Sequence, residues 1–234
     1  MSEKLIIIGD GETAEMTYEY FTHDSDYEVV AFAVEKDYLE KNKLFGLPVF
    51  PFEDLENIYD PEKFNAIVAV SYIQLNRVRT RLFQAVKKKG FKLASYVSSR
   101  AFVWHNVKIG DNCFICENTV LQYHAELGDN IILAPGTVVA HRTKIGSNCF
   151  VGAQAAISGY CEIGENSFLG VNSTLSDFLK VGKDCIIGAG SNVVKDTEDG
   201  KVYVGNPAKP MKKSSYDVFG VKNEEIWNRI KKGL

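Results

Sequence analysis

Residues 137–152 read Thr-Val-Val-Ala-His-Arg-Thr-Lys-Ile-Gly-Ser-Asn-Cys-Phe-Val-Gly. Within this stretch, Val139, Ile145 and Val151 are evenly spaced at every sixth position, and the same step continues in both directions. From Val97 to Val193, every position on this step is Val, Ile or Leu. A period of six fits neither an α-helix nor a β-meander, but it is typical of a parallel β-helix. We therefore predict that residues 97–193 form a parallel β-helix.

The residue four positions after each aliphatic is usually small, as at Thr143, Cys149 and Ala155. We expect short strands joined by tight corners, with the aliphatic side chain inside a narrow prism and the small residue inside the corner. Three hexapeptides would close one coil of a three-sided prism, so positions three hexapeptides apart should stack. The repeat then makes between five and six coils, and each coil buries its hydrophobic face only against the next one.

The residues before the repeat alternate predicted strands with predicted helices. The strands are residues 4–9, 28–34 and 64–70, and the helices are residues 14–21 and 76–89. This alternation predicts half of a doubly wound sheet. The whole chain is thus predicted to be a mixed fold. It has a small Rossmann-like α/β domain over residues 1–95, a β-helix domain over residues 96–212 and a tail over residues 213–234, where Asn223 would cap a short helix.

A glycine-rich turn follows the first predicted strand. Residues 9–14, Gly-Asp-Gly-Glu-Thr-Ala, match G-x-G-x-x-A and lead into a predicted helix. The second strand ends at Glu35, near the usual spacing for an acidic residue that contacts a ribose. The domain has room for one mononucleotide-sized site, which favours a nucleotide-linked ligand over a dinucleotide. The alternative is a tight turn that binds nothing.

Composition limits the class of partner. The chain has 234 residues and a formal net charge of −3, so it lacks the basic footprint of a protein that binds nucleic acid or anionic membranes. Its first residues contain too short an apolar run for a signal peptide or a membrane span. Four of the five cysteines occupy the small corner position of the repeat, which indicates buried thiols in a reducing compartment. We therefore predict a cytoplasmic protein.

Three histidines fall within the repeat: His105, His124 and His141. His105 and His141 are two coils apart, with Tyr123 between them in the same column, whereas His124 is shifted by one place. A transfer from a thioester needs a base for the incoming nucleophile, and histidine is the commonest one. Three histidines also suit zinc, but no clustered carboxylate completes a ligand set, so we predict no metal. A purely structural role is the alternative for each histidine.

Three segments, residues 137–146, 168–173 and 205–209, resemble the bacterial sugar acetyltransferases of the left-handed β-helix superfamily. The chain is similar to the branch that N-acetylates nucleotide-linked amino sugars, such as the bacillosamine and perosamine acetyltransferases, and to their sialic acid O-acetyltransferase relatives. The resemblance covers nearly the whole chain. It implies a left-handed β-helix, a homotrimer, acetyl-CoA as acyl donor and a role in surface glycan biosynthesis.

The resemblance also implies a set of site residues. His141 would be the general base, and the backbone N–H of Gly159 would stabilise the oxyanion. Acetyl-CoA would bind between neighbouring subunits of the trimer, near Phe150, Gly159, Val171, Ala189 and Lys209. The nucleotide-linked amino sugar would be held by Gly9, Asp10, Gly11, Glu12, Thr13, Glu35, Lys36 and Ser71.

Two departures from the family pattern affect these expectations. Arg142 follows His141 where an acidic residue is common, and a neighbouring cation disfavours protonation of the imidazole. A carboxylate from elsewhere would then orient His141, or the base would be weak. Glu12 and Thr13 replace a Gly-His pair, and Ser71 replaces a glycine, so the nucleotide and the sugar stay open.

Several alternatives to the amine acetyltransferase remain. One is a sugar O-acetyltransferase. A hydroxyl is a poorer nucleophile than an amine and needs a stronger base, whereas Arg142 beside His141 favours a weaker one. Another alternative is an amine acetyltransferase whose substrate amine binds already deprotonated, so that His141 only positions it. A β-helical metalloenzyme would need bound zinc or iron, and a non-catalytic trimer would use its first domain to bind a nucleotide.

Overall fold

A computed structural model of the chain describes residues 2–221, so the helix predicted after Asn223 lies outside the described residues. The first part contains six strands: Glu3–Ile8 (β1), Tyr27–Val34 (β2), Lys43–Leu44 (β3), Leu47–Pro51 (β4), Phe64–Val68 (β5) and Lys92–Leu93 (β6). Its helices are Glu12–His23 (α1), Leu55–Ile58 (α2) and Arg77–Lys88 (α3), with 3₁₀ turns at Lys36–Tyr38 and Phe52–Asp54.

These strands form one sheet in the order β3-β4-β2-β1-β5-β6. All of its pairs are parallel except the short β3–β4 hairpin, and β1 lies at the centre between β2 and β5. The apolar run at the end of β1 is buried on both faces, as expected for a parallel strand covered by helices. The predicted Rossmann-like arrangement is thus present. The hairpin was not predicted, because such short strands carry little periodicity.

The repeat region forms very short strands, β7 to β23 in chain order, arranged in three parallel sheets. The first face holds Tyr96–Val97, Phe114–Ile115, Ile132–Leu133, Phe150–Val151, Phe168–Leu169 and Ile186–Ile187. The second face holds Phe102–Val103, Val120–Leu121, Val138–Val139, Ala156–Ile157, Thr174–Leu175 and Asn192–Val193. The third face holds Lys108–Ile109, Glu126–Leu127, Lys144–Ile145, Glu162–Ile163 and Lys180–Val181. Each strand pairs with the equivalent strand of the next coil, so the predicted parallel β-helix is confirmed.

The aliphatic member of each strand points into the prism. From Ile115 to Val193 these side chains are buried in one continuous core, whereas Val97 in the first coil is 37% exposed. At each corner from Asn112 to Gly190, the residue three positions after the aliphatic has a positive φ, as at Asn130, Arg142 and Asn148. Asparagine tolerates this left-handed conformation better than most residues, which explains its frequency there.

The other member of each strand points outward, and its character differs from face to face. On the first face these residues are aromatic or aliphatic, and Phe114, Ile132 and Ile186 are buried under the rest of the chain. On the third face they are charged and form ion pairs along the column, as between Lys108 and Glu126 at 3.3 Å. On the second face the outward residues are mostly apolar, as at Phe102, Val120 and Val138. No helix or strand between residues 2 and 221 covers this face.

The first domain docks on the first face and on the corner between the third and first faces. Tyr72 makes edge contacts with the Phe150 and Phe168 rings at 4.8 and 5.1 Å. From helix α3, the buried Arg79 donates to the carbonyl of Cys149 at 3.1 Å, and Arg77 pairs with Asp184 at 2.5 Å. These contacts attach the α/β sheet to the prism through both apolar and charged groups.

After the last coil, Lys201–Val204 (β24) extends the first face, and Lys209–Ser214 (β25) pairs with it antiparallel. A short helix, Ser215–Val218 (α4), follows, with Ser214 as its N-cap. The five cysteines are free and buried, and burial raises the pKa of Cys113, Cys116 and Cys149 to about 12. These thiols therefore act as small hydrophobic residues, as predicted from their position in the repeat.

Candidate active site

His141 lies at the second corner, which joins the second face to the third face over residues 140–143. Its ring stacks on Tyr123 from the coil before, with centroids 5.4 Å apart and planes within 8°. Tyr160 from the following coil meets it edge-on at 5.3 Å. The stacking of successive coils therefore places aromatic rings on two sides of the imidazole, as the sequence predicted for Tyr123.

One side chain fixes the orientation of the His141 ring. The Gln122 amide oxygen accepts the backbone N–H of His141 at 3.1 Å and faces its Nδ1 at 3.2 Å. Because a backbone N–H can only donate, the group facing it is the amide oxygen, which accepts from Nδ1–H as well. Nε2 then carries the lone pair, as a general base requires. No sequence motif pointed to Gln122, although it directly precedes Tyr123 and therefore lies in the coil below His141.

Gly159 lies against the other edge of the ring. A Cβ atom built on Gly159 would meet Cε1 and Nε2 of His141 at 2.7 Å each. The absent side chain therefore makes the room that the imidazole occupies. The Gly159 N–H, predicted as the oxyanion donor, donates instead to Oδ1 of Asp177 at 2.8 Å. The oxyanion role of this N–H stays a prediction, and in the single chain the donor is engaged by a residue one coil further along.

Arg142 lies near the tyrosine ring that stacks on His141. Its φ of 57° places it at the left-handed corner position, and its guanidinium lies 5.8 Å from the centre of the Tyr123 ring. Among residues 2–221, no carboxylate comes within 4.0 Å of a His141 ring nitrogen. Within the described residues, the group that faces Nδ1 is therefore the Gln122 amide, and a carboxylate from a partner chain stays a prediction.

The residues predicted to bind acetyl-CoA are divided between different edges of the prism. Val171 and Ala189 stack at the first corner, between the first and second faces, and both are exposed. Lys209 lies near the same end, because the adjacent Ala208 N–H donates to the carbonyl of Asn192. Gly159 stays with His141 at the second corner. One chain therefore does not bring Val171 and Ala189 next to His141.

Phe150, also predicted to lie near acetyl-CoA, is on another face of the prism. It points outward from the first face, where its ring stacks on Phe168 at 5.2 Å and meets the Tyr72 ring. Its side chain thus contributes to the docking of the first domain. The sequence could not distinguish this role, because the six-residue period does not show which outward residues the first domain covers.

A cavity of about 470 Å³ opens at the carboxyl ends of the sheet strands in the first domain. Most of the residues predicted to hold the nucleotide-linked sugar line it: Gly9, Asp10, Gly11, Glu12, Thr13, Glu35 and Ser71. Gly9 has a φ of +130°, and a Cβ there would meet the carbonyl oxygen of Ala69 at 2.8 Å. The turn into α1 therefore needs glycine, and it leaves the cavity open at the N-terminus of that helix, where anions bind readily.

Two charged residues at this cavity differ from expectation. Lys36 is not among the lining residues, because its ammonium pairs with Asp54 at 3.2 Å and its backbone N–H faces Glu53. Arg81, which no sequence motif indicated, donates two hydrogen bonds to the Glu35 carboxylate, at 2.6 and 2.8 Å. The hydrogen bonds that Arg81 donates to Glu35 raise the pKa of the Arg81 guanidinium. The acidic residue predicted to contact the ribose is thus held in a bidentate ion pair.

Metal-ligand clusters and membrane-spanning helices are both absent from the described residues. Between residues 2 and 221, no three metal-ligating side chains come together. None of the helices in that range combines the length and the apolar character of a membrane-crossing segment.

The chain matches two hexapeptide-repeat families. Residues 124–159 match the bacterial transferase hexapeptide family, and residues 106–140 and 161–194 match the hexapeptide repeat of succinyl-transferase. No curated protein matches the chain.

Solved structures give a more extensive likeness. A variant of the perosamine N-acetyltransferase from Caulobacter crescentus, in complex with CoA and GDP-perosamine, is 27% identical with a TM-score of 0.80. The match covers 90% of this chain and 97% of that one. The acetyltransferase domain of PglB from Neisseria gonorrhoeae FA1090 is 30% identical with a TM-score of 0.81, over 89% of this chain and 100% of that one. The same domain in complex with acetyl coenzyme A is 29% identical, with a TM-score of 0.80. The chain therefore belongs to the hexapeptide-repeat family of nucleotide-sugar N-acetyltransferases.

Proposed function

We propose that the protein transfers the acetyl group of acetyl-CoA to the amino group of a nucleotide-linked amino sugar, with His141 as general base. The observation that carries the role of His141 is its orientation. Gln122 holds Nδ1, and Nε2 lies against the open α-carbon of Gly159. Because Gly159 has no side chain, the imidazole can take this position, and the half-buried ring stays within reach of a substrate at the surface of the prism.

The reaction then follows from the lone pair on Nε2. The neutral amine attacks the carbonyl carbon of the thioester, and Nε2 of His141 accepts a proton from the nitrogen. The C–S bond breaks as the tetrahedral intermediate collapses, and the proton held by His141 passes to the sulfur of CoA. One amine and one thioester thus become one amide and one thiol, and the imidazole returns to its neutral form.

We also propose that each active site forms between two copies in a homotrimer. In a three-sided prism, the second corner with His141 lies opposite the first face, against which the nucleotide cavity is docked. A sugar held in the cavity of one chain would therefore meet the His141 of another chain. The uncovered second face, with Phe102 53% exposed and Phe178 at its edge 71% exposed, supports contact with a second copy. It would also join Val171 and Ala189 to that imidazole.

Release of the CoA thiol tests the reaction directly. Purified full-length protein is mixed with acetyl-CoA and with amino sugars linked to GDP, UDP or dTDP. We expect thiol release in a 1:1 ratio with N-acetylated sugar for at least one of them. The variant His141→Asn should lose roughly 10²- to 10⁴-fold in kcat. The control His124→Asn, one coil below at a left-handed position that asparagine tolerates, should keep the wild-type rate.

Two results would contradict this function. One is an absence of thiol release with every amino sugar, and the other is an unchanged rate in His141→Asn. Acetylation of the matching hydroxyl sugars instead would identify an O-acetyltransferase.

Mixing two inactive variants tests whether the site is shared. Gly11→Phe fills the nucleotide cavity without a clash with the fold, because a Cβ there meets no atom within 4 Å. Trimers assembled from Gly11→Phe and His141→Asn chains should contain some intact sites and regain activity. Mixtures as inactive as the two separate variants would place the whole site in one chain. We also propose a cytoplasmic location, which the five free cysteines support.

A further inference from the structure

The turn that leads into helix α3 has an unusual backbone. Gln74, Leu75 and Asn76 have φ values of 51°, 52° and 63° in succession. The backbone N–H of Asn76 donates to the carbonyl of Tyr72 at 3.1 Å, so residues 72–76 form one left-handed helical turn. Residues with a side chain seldom adopt this conformation, and then mostly singly. Three of them in a row have to be held in place by surrounding contacts.

The β-helix supplies most of those contacts. Leu75 is fully buried in a cluster with Ile186 from the first face. Asn76 is fully buried as well, and its Nδ2 donates to the carbonyl of Asn166 at 3.4 Å. Its Oδ1 accepts a hydrogen bond from Arg79 at 3.0 Å. The end of the left-handed turn is therefore anchored on the prism, and this anchor fixes the backbone of the residue before it.

The same turn forms part of the wall of the nucleotide cavity. Ile73 and Gln74 both line this cavity of about 470 Å³, and the Ile73 side chain is 54% exposed. The side-chain amide of Gln74 has no hydrogen-bond partner among residues 2–221. Its NH₂ group can therefore donate to a ligand, and its oxygen can accept from one. The turn thus presents an apolar and a polar side chain to the cavity, next to each other.

The other polar groups at the cavity suit different parts of a nucleotide. The backbone N–H groups at the N-terminus of α1, after Gly11, suit phosphate oxygens, which only accept hydrogen bonds. Glu35 and Arg81 already pair with each other through both carboxylate oxygens. A nucleobase edge places a donor beside an acceptor, and a primary amide such as that of Gln74 matches this pair. The base is therefore the part of the ligand that this amide complements best.

We propose that the left-handed turn is the nucleobase-binding element, in which Gln74 pairs with the edge of the base and Ile73 packs on its face. This inference rests on the proposed function, which assigns a nucleotide to this cavity. The Gln74 oxygen would accept the ring N–H of guanine, uracil or thymine, and its NH₂ group would donate to the adjacent ring carbonyl. The anchored backbone holds the amide in place before the ligand binds, so less conformational freedom is lost on binding.

Calorimetric binding to the full-length protein tests the pairing between residue and base. The ligands are whichever of GDP, UDP and dTDP binds wild type most tightly, and the same nucleotide methylated at the ring N–H (N1 of guanine, N3 of uracil or thymine). Wild type should bind the methylated ligand roughly tenfold more weakly, because one hydrogen bond is lost and its acceptor is left unpaired. Gln74→Ala should bind the unmodified ligand roughly tenfold more weakly, and methylation should then cost it less than about threefold.

A glycine variant separates binding from folding. Gln74→Gly removes the amide but suits a positive φ, so its midpoint of urea unfolding should stay at or above that of wild type while the nucleotide affinity falls as in Gln74→Ala. Gln154→Gly is the matched control, because Gln154 has a φ of 59° at a corner of the prism and does not line the cavity. This control should keep the wild-type affinity for the nucleotide within about twofold.

The outcomes separate the inference from the proposed function. If wild type binds a nucleoside diphosphate and Gln74→Ala binds it within about twofold as tightly, only the inference fails. An equal cost of methylation in wild type and Gln74→Ala would assign the base edge to another residue and would overturn it too. So would a loss of affinity in Gln154→Gly as large as that in Gln74→Gly. If wild type binds none of the three nucleotides, the proposed function fails first and the inference fails with it.

Discussion

Replacing Gly159 with alanine tests whether the position of the imidazole matters. The new Cβ would lie 2.7 Å from Cε1 and Nε2 of His141 and 3.2 Å from Nδ1. Ordinary van der Waals contact begins at 3.4 Å, so the ring has to move by about 0.7 Å, the difference between 3.4 and 2.7 Å. Gln122 holds the other edge of the ring, which means that the displacement also strains the bond to Nδ1.

The expected effect on catalysis follows from this displacement. A misplacement of about 1 Å at a reacting group can cost 10²-fold in rate. We therefore expect kcat to fall roughly 10- to 100-fold in Gly159→Ala, equivalent to about 1.4 to 2.7 kcal/mol of barrier. The fold should tolerate the change. The φ of Gly159 is not in the left-handed region, and every other residue at this position of the hexapeptide has a Cβ.

Steady-state thiol release measures kcat, and thermal unfolding measures the stability of the variant. The double variant Gly159→Ala with His141→Asn provides the control. If the alanine acts only through the imidazole, the double variant should be no slower than His141→Asn alone. A folded Gly159→Ala protein with kcat within about threefold of wild type would contradict this prediction. Catalysis would then not depend on the present position of the His141 ring.

Two other variants test the support of the site and the docking of the first domain. Gln122→Leu removes the acceptor for Nδ1–H and for the His141 backbone N–H. We expect kcat to fall about tenfold, since a hydrogen bond is worth about 1 kcal/mol and the tautomer is no longer fixed, while KM for acetyl-CoA stays constant. An unchanged kcat would show that Gln122 does not orient the base. Asp184→Asn leaves the 3% exposed Arg77 without its carboxylate and should cost about 3 kcal/mol in the free energy of unfolding measured with urea. Lys87→Ala breaks only exposed pairs with Asp111 and Asp129 and should cost less than about 1 kcal/mol; equal losses in the two variants would contradict this ranking.

The prism was predictable because its stabilising pattern is local. An inward aliphatic such as Val139 is in register with its equivalent Ile157 in the next coil, so the core repeats from one coil to the next. Stacking within a column was predictable for the same reason, and it placed Tyr123 beside His141. The glycine-rich turn at Gly9 also follows from local geometry, since the backbone there approaches Ala69 too closely for a side chain.

The period, the coil, the inward residues and the column that contains His141 could therefore all be predicted from residue spacing. The contacts of each outward position depend instead on packing between distant segments. This packing covers Phe150 with Tyr72, pairs Glu35 with Arg81 and turns Lys36 toward Asp54. These contacts join segments with no common repeat, so no spacing along the chain encodes them. The tertiary structure also engaged the Gly159 N–H with Asp177, because a backbone donor at a corner bonds to whichever acceptor the next coil presents.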